Sequence, residues 1–271
     1  MPTASAPVVT IAGNRASLVG WEHVDRVGCY GQQCADAFAS LGHDAARLVL
    51  TGSLTLDRAL ARSKDGARSD HPVYRKFREK TPRLILFATS GINPNEPAIL
   101  SAILVACADP DHAASLVVRP HPSLGANAYA ASITARLADR AAIVTDGSVI
   151  DAIAAADVVI TDYSTVGAEA VLMGRPLLVV NMTAAPFPAN DYAALGVAAA
   201  ATSLRDIGPQ LARLLGEGCY WPGAQAARAA FQDAYNWGGD GQACARFLDA
   251  AAGLATARKP TGLTTGPTTG P

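Results

Sequence analysis

The sequence predicts an α/β protein in which a parallel β-sheet is covered by helices on both faces. One observation is the regular alternation, from Arg83 onward, of short strand-like runs with helical segments of roughly ten residues, the sign of repeated βαβ units. A second is the stretch from Ser148 to Asn181. There an Ala-rich helical segment, the β-branched run Val158-Val159-Ile160, a polar turn, an Ala/Leu helix ending at Gly174 and a final strand follow one another. The third is size: 271 residues, 50% of them hydrophobic, suffice for a substantial core in one large or two modest domains.

Residues 1–60 hold three short apolar runs, Val8 to Ala12, Arg26 to Tyr30 and Arg47 to Leu50, with a helical pattern from Gln32 to Leu41 between the last two. Together these suggest a βαβ unit, too little chain for a full doubly wound domain. Residues 61–82 are rich in charge, carry Gly66 and Pro72, and read as a linker with a surface helix near Tyr74 to Glu79. In residues 83–255 the expected strands are Leu84 to Ala88, Ser115 to Arg119, Ala142 to Thr145, Val158 to Ile160, the run ending at Asn181, and Val197 to Ala200. The helices between and after them are Pro97 to Ala108, Ala128 to Ala138, Ser148 to Ala156, the segment ending at Gly174, Leu204 to Leu215, Gly223 to Asn236 and Gln242 to Ala252. Residues 256–271 form a Thr/Gly/Pro tail that cannot bury a core and is expected to be disordered.

Only 17% of the residues are charged and the net charge is -1, which excludes nucleic acid as a principal partner on electrostatic grounds. The cysteines Cys29, Cys34, Cys107, Cys219 and Cys244 are odd in number, widely spaced and without a C-x-x-C pair, against a disulfide framework or a structural zinc site. Free thiols fit a reducing cytoplasm. No run approaches the ~18–20 apolar residues of a membrane span, and the amino terminus lacks a basic region followed by an apolar one. A soluble cytoplasmic protein is expected.

Ligands of a parallel sheet bind beyond the carboxyl ends of its strands, so the residues just after each strand are the candidates. They are Thr89-Ser90-Gly91-Ile92-Asn93, Arg119-Pro120-His121-Pro122-Ser123, Asp146-Gly147-Ser148 and Asp162-Tyr163-Ser164-Thr165. The last of these joins a strand to a helix amino end, whose unpaired N–H groups and positive pole favour an anion such as a diphosphate. Ser164 and Thr165 read equally as helix caps, a role compatible with phosphate binding. A lone histidine more often bonds a neighbouring carbonyl, but His121 stands between two prolines directly after a strand, which suits a side chain aimed at a ligand. Glu169 lies one turn beyond Thr165, between Ala168 and Ala170 on an apolar helix. A carboxylate there has a hydrogen-bonding task, such as gripping ribose hydroxyls, where an ordinary helical Glu faces water. Asp157 reads as a turn residue more than a general base, and Gly174-Arg175-Pro176 as structural. The chain has no P-loop, G-x-G-x-x-G, H-E-x-x-H or G-x-S-x-G, so P-loop ATP hydrolysis, Rossmann-type hydride transfer and serine hydrolase chemistry lose their usual support.

Arg119-Pro120-His121-Pro122-Ser123 together with Ala156 to Leu178 (ADVVITDYSTVGAEAVLMGRPLL) resembles the Rossmann-like carboxyl-terminal, donor-binding domain of GT-B glycosyltransferases. The likeness is closest to the CDP-glycerol glycerophosphotransferase and capsule polysaccharide group, with the related UDP-N-acetylglucosamine 2-epimerases. Gly239 to Gly253 is similar to the closing segment of the glycerophosphotransferase group, and Val27 to Asp57 to the end of the amino-terminal domain, so the resemblance covers about residues 24–252.

The resemblance implies a donor site in which His121, with Arg119 beside it, contacts the donor's phosphates and Ser164 and Thr165 hold them. Glu169 would bind the nucleotide ribose, and Thr89, Ser90, Gly91 and Ile92 would lie beside the base. It further implies transfer of a glycosyl or alditol-phosphate group from a CDP-, CMP- or UDP-linked donor, with no cofactor and no metal, for surface polysaccharide or teichoic-acid-like polymer synthesis. In this reading residues 1–60 are a remnant of the amino-terminal domain, residues 61–82 the linker, 83–255 the donor-binding domain and 256–271 the tail. No catalytic base is assigned; Glu22, His23, Asp25 and Asp57 are merely available. A separate subunit carrying the amino-terminal domain and peripheral membrane association through the acceptor follow as implied partners. A sugar-nucleotide 2-epimerase and a non-catalytic nucleotide-binding module are the alternatives.

Overall fold

The computed structural model describes residues 8–11, 14–17, 24–40, 42–64, 70–91, 93–111, 113–124, 127–137, 139–162, 164–182, 192–217 and 223–257. Strands β1 (Val8–Ile11) and β2 (Asn14–Ser17) form an antiparallel hairpin. Strand β3 (Val27–Cys29), helix α1 (Gln32–Ser40) and strand β4 (Leu48–Leu50) follow, with β3 and β4 parallel. The βαβ unit of this region is therefore β3-α1-β4. The first apolar run pairs instead with Asn14–Ser17, a strand whose polar composition hides it in the sequence.

Helix α2 (Leu54–Lys64) and helix α3 (Pro72–Lys80) occupy most of the stretch that composition marks as a linker. Helix α3 is more than a surface helix. Tyr74 and Phe77, one turn apart, are only 2% and 4% exposed and pack with Leu84, Leu86 and Ile153, while Arg75, Lys76, Glu79 and Lys80 on its other side face solvent. A short helix with two aromatic anchors is outvoted by its charges in a composition reading.

The main sheet comprises β5 (Arg83–Ala88), β6 (Ala114–Arg119), β7 (Ala141–Ile143), β8 (Val158–Thr161), β9 (Leu177–Val180) and β10 (Ala199–Ala201), all parallel, in the order β10-β9-β8-β5-β6-β7. Side chains alternate between its faces, as strand geometry requires. Leu84, Leu86, Val159 and Leu177 join the core under α2, α3, α6 (Val149–Ala155), α7 (Val166–Leu172) and α9 (Ala224–Tyr235). Ile85, Phe87, Leu116 and Ile160 join the core under α4 (Glu96–Ala108), α5 (Asn127–Leu137) and α8 (Leu204–Glu217). The chain steps from β5 outward to β6 and β7, returns to β8 on the other side of β5, and steps outward again. That reversal opens a crevice beyond the carboxyl ends of β5 and β8, where open α/β sheets bind their ligands.

Helix α10 (Ala243–Ala257) extends past the expected end at Ala252 and takes in residues 256 and 257; the remainder of the tail lies outside the described residues. Its start is fixed by Asp57, whose Oδ2 accepts from Ala243 N at 2.9 Å and whose Oδ1 accepts from Asn236 Nδ2 at 3.2 Å. Asn236 in turn accepts Ser53 N at 2.8 Å, joining the β4–α2 turn to the α9–α10 junction. Among the described residues no helix is long and apolar enough to cross a membrane.

Asp157 is a structural clamp at the amino end of the sheet. Its Oδ2 lies 2.6 Å from Arg78 Nη1 and accepts Leu84 N at 2.8 Å, tying α3, β5 and the turn into β8 together. Arg78 Nη2 donates to Ala155 O at 2.5 Å from the same place. Removing one member of such a partly buried pair strands the other. Asp157→Ala is expected to lower the unfolding free energy by on the order of 3 kcal/mol, read from the urea midpoint, without affecting ligand binding at the opposite end of the sheet.

Candidate functional site

The loops after β5, β6, β7 and β8 surround a cavity of about 710 Å³. Seven of the sequence candidates line it: Thr89, Ser90, Arg119, His121, Ser164, Thr165 and Glu169. Pro120, Pro122, Leu124, Val149 and Val166 supply apolar wall, and Thr145 closes the β7 side. Gly91 lies just behind the wall; Ile92, Tyr163, Glu22 and His23 lie outside the described residues.

The β6 loop presents His121 with a defined tautomer. Ser123 N donates to His121 Nδ1 at 3.2 Å and Ser123 Oγ is 2.7 Å from the same atom. An Nδ1 that accepts from a backbone N–H carries no hydrogen in the neutral ring, so Nε2–H is the donor left for a ligand. The loop itself is hung on Thr89, whose Oγ1 accepts His121 N at 3.1 Å. Beneath it Gly91 takes φ +73, a left-handed conformation, and a Cβ there would come within 3.0 Å of His121 Cβ.

Arg119 sits differently from what a phosphate ligand would need. Nη1 donates to Asp146 O at 2.7 Å and Nη2 to Gly147 O at 2.6 Å, so the guanidinium braces the β7–α6 loop and shapes the cavity wall. The start of α7 is also more self-contained than the sequence implies. Val166 N donates to Ser164 Oγ at 3.3 Å, Gly167 N to Ser164 O at 3.2 Å and Ala168 N to Thr165 O at 2.9 Å. These three N–H groups are engaged within the turn. Ser164 is the side chain that caps, and Thr165 makes no capping bond with its own.

Two side chains that sequence reading missed support this rim. Glu96, in the first turn of α4, accepts Gly91 N at 2.8 Å and Ser90 Oγ at 3.1 Å, and Tyr129 hydroxyl donates to its other oxygen. Ser90 Oγ also lies 2.7 Å from Asp162 Oδ2, at the end of β8. The only sequence signal for Glu96 is an acidic residue near a helix start, which ordinarily serves the helix dipole.

Residues 95–190 match the family model described as CDP-Glycerol:Poly(glycerophosphate) glycerophosphotransferase. Solved structures similar to the chain include a UDP-N-acetylglucosamine 2-epimerase (21% identity, TM-score 0.59, covering 90% of this chain and 61% of that one). A co-structure of S. aureus MnaA with UDP is 17% identical, with TM-score 0.62 over 89% of this chain and 64% of that one. A variant of the wall teichoic acid polymerase TagF soaked with CDPG is 15% identical, with TM-score 0.57 over 93% of this chain and 67% of that one. The fold is the Rossmann-like GT-B fold of these structures over the part they share. The chain spans about three fifths of the epimerase structure's length. The glycerophosphotransferase match takes in the His121 loop and Glu169 of this GT-B fold. No curated protein matches the sequence.

Glu169 is the electrostatic outlier of the cavity. It is 7% exposed and its Oε2 is buried without a hydrogen-bond partner. Burial pushes its pKa up from the ordinary 4.5 to about 7, because desolvation penalises the charged form. The fold therefore favours the protonated carboxyl. The stability it contributes is full below about pH 4.5 and is lost as pH rises through about 7. Glu169→Gln should accordingly gain on the wild type as pH goes from 5 to 9, by up to roughly 3 kcal/mol, in chemical denaturation of the unliganded proteins. A pH-independent difference would mean that the carboxyl is hydrated.

Proposed function

We propose that the cavity binds a nucleotide-activated donor, CDP-, CMP- or UDP-linked, and that the chain is the donor-binding part of a transferase moving an alditol-phosphate or glycosyl group. The product in this reading is a surface polysaccharide or a teichoic-acid-like polymer. The observation that carries the reading is the buried, unpartnered oxygen of Glu169 on the wall of a cavity that also offers His121 Nε2–H and the Thr165 hydroxyl. Ribose hydroxyls donating to Glu169 would satisfy it, and the remaining donors suit an acceptor-rich diphosphate; a nucleoside diphosphate carries both groups. A volume of about 710 Å³ accommodates such a ligand.

The glycerophosphotransferase match over residues 95–190 supports a CDP-linked alditol phosphate ahead of a UDP-sugar. With that donor an acceptor hydroxyl would attack the phosphorus of the transferred group and pass its proton to a base. The bond from that phosphorus to the bridging oxygen would break, and CMP would leave with the electron pair. His121 and Thr165 would meet the charge developing on the diphosphate, and the reaction needs no metal or further cofactor. Asp57, available as the base by sequence, is engaged by Asn236 and Ala243. The base and the acceptor site are assigned to the rest of the enzyme, on the same or a separate polypeptide, with a membrane-attached acceptor bringing the assembly to the bilayer surface.

Titration calorimetry with CDP, CMP, UDP and GDP tests the reading, and absence of heat with all four would sink it. His121→Ala and Glu169→Ala should each weaken the best-bound nucleotide about tenfold or more, the loss of a charge-assisted hydrogen bond. Product analysis with intact CDP-glycerol and UDP-N-acetylglucosamine, with and without acceptor, then separates the transferase from a 2-epimerase and from a binding module that turns nothing over.

A further inference from the structure

We infer that Glu96 is a positioning residue of this site, the buried anchor that sets the His121 loop and the turn before α7 against one another. The inference rests on the donor-site reading of the cavity. Glu96 does not line the cavity and is 3% exposed, so it acts through other groups. Its partners belong to the loops: Gly91 N and Ser90 Oγ on one oxygen, Tyr129 hydroxyl of α5 on the other. Gly91 abuts His121, and Thr89, next to Ser90, holds the backbone N–H of His121. Ser90 reaches across to Asp162, two residues before Ser164. Glu96 thus holds the β5 loop directly, and through Thr89, Gly91 and Ser90 that loop meets the β6 loop and the end of β8.

A first-turn glutamate with only a dipole role would face solvent and leave these loops indifferent to its removal. Here removal leaves Gly91 N–H without its acceptor inside a left-handed turn, and the turn supports the ring of His121. Glu96 is buried, and a bond left unmade beside a buried group is the most disruptive kind.

Three readouts on the purified chain test this: the unfolding midpoint, calorimetric affinity for CDP and UDP, and the ring resonances of His121, assigned by their loss in His121→Gln. Glu96→Ala is expected to shift the His121 ring resonances and to weaken nucleotide binding about tenfold or more while the protein remains folded. Glu96→Gln, which keeps an acceptor for Gly91 N–H and a polar group for Tyr129, should restore affinity to within about threefold. A folded Glu96→Ala protein with wild-type affinity and an unmoved His121 ring overturns the proposal. If Glu96→Ala does not fold, Tyr129→Phe replaces it, and an unmoved His121 ring in that variant is equally fatal. Should the wild type bind no nucleotide, the donor reading fails and the His121 ring alone decides whether Glu96 positions the loop.

Discussion

Because β5 pairs with β6 on one side and β8 on the other, the chain leaves it in opposite directions, and the two halves of the sheet diverge from one line. Helices crossing from β5 to β6 and from β8 to β9 cover opposite faces, so their connecting loops part at the carboxyl edge. The space left between them is not filled by either set of side chains. The cavity follows from this reversal of strand order, which parts the loops at the carboxyl edge of the sheet. The protein supplies two bridges of its own below the cavity floor, Ser90 to Asp162 and Thr89 to His121, and they fix how far apart the rims stand.

Much of the sheet was legible because each central strand is an apolar run with both neighbours helical, and burial on both faces leaves no other use for such runs. The same logic located the loops that form the cavity, including His121, Ser164, Thr165 and Glu169, since position after a strand is a topological property. What stayed hidden is what side chains do with each other at long range. Arg119 belongs to the expected donor-binding set, and carbonyls of the β7–α6 loop, distant in sequence, take its guanidinium. Glu96 carries no signal of its role in the sequence, because its partners Gly91 and Tyr129 come from a loop and a helix that only the fold brings to it. Helix α3 was masked by its own charges, which flank Tyr74 and Phe77 without contradicting their burial. In each case a residue's type was informative and its partner was not.

The scaffold shows a related division of labour among carboxylates. Asp57 and Asp157 each accept a backbone N–H and a side-chain donor, and each closes a junction between helices remote in sequence. Such acids lower the free energy of the folded state by satisfying donors that would otherwise be buried unpaired. Their geometry leaves little freedom for a proton-transfer role, and both act as parts of the scaffold.

Glu169 obeys the opposite rule. It is buried, its Oε2 has no donor, and its charged form is disfavoured by desolvation, so the unliganded fold would be more stable with an uncharged side chain there. A buried acid that satisfies no internal group is a local inconsistency of the kind expected where a site is kept for a ligand. Two hydroxyls on adjacent carbons would supply the missing donors without bringing a counter-charge, while a cation would be poorly matched to a pocket whose neighbouring groups, His121 Nε2–H and the Thr165 hydroxyl, call for acceptors. In the donor reading proposed above, one unmet acceptor beside the His121 and Thr165 donors favours a molecule carrying a diol and a diphosphate together over a simple anion, which would answer the donors and leave Glu169 as it stands.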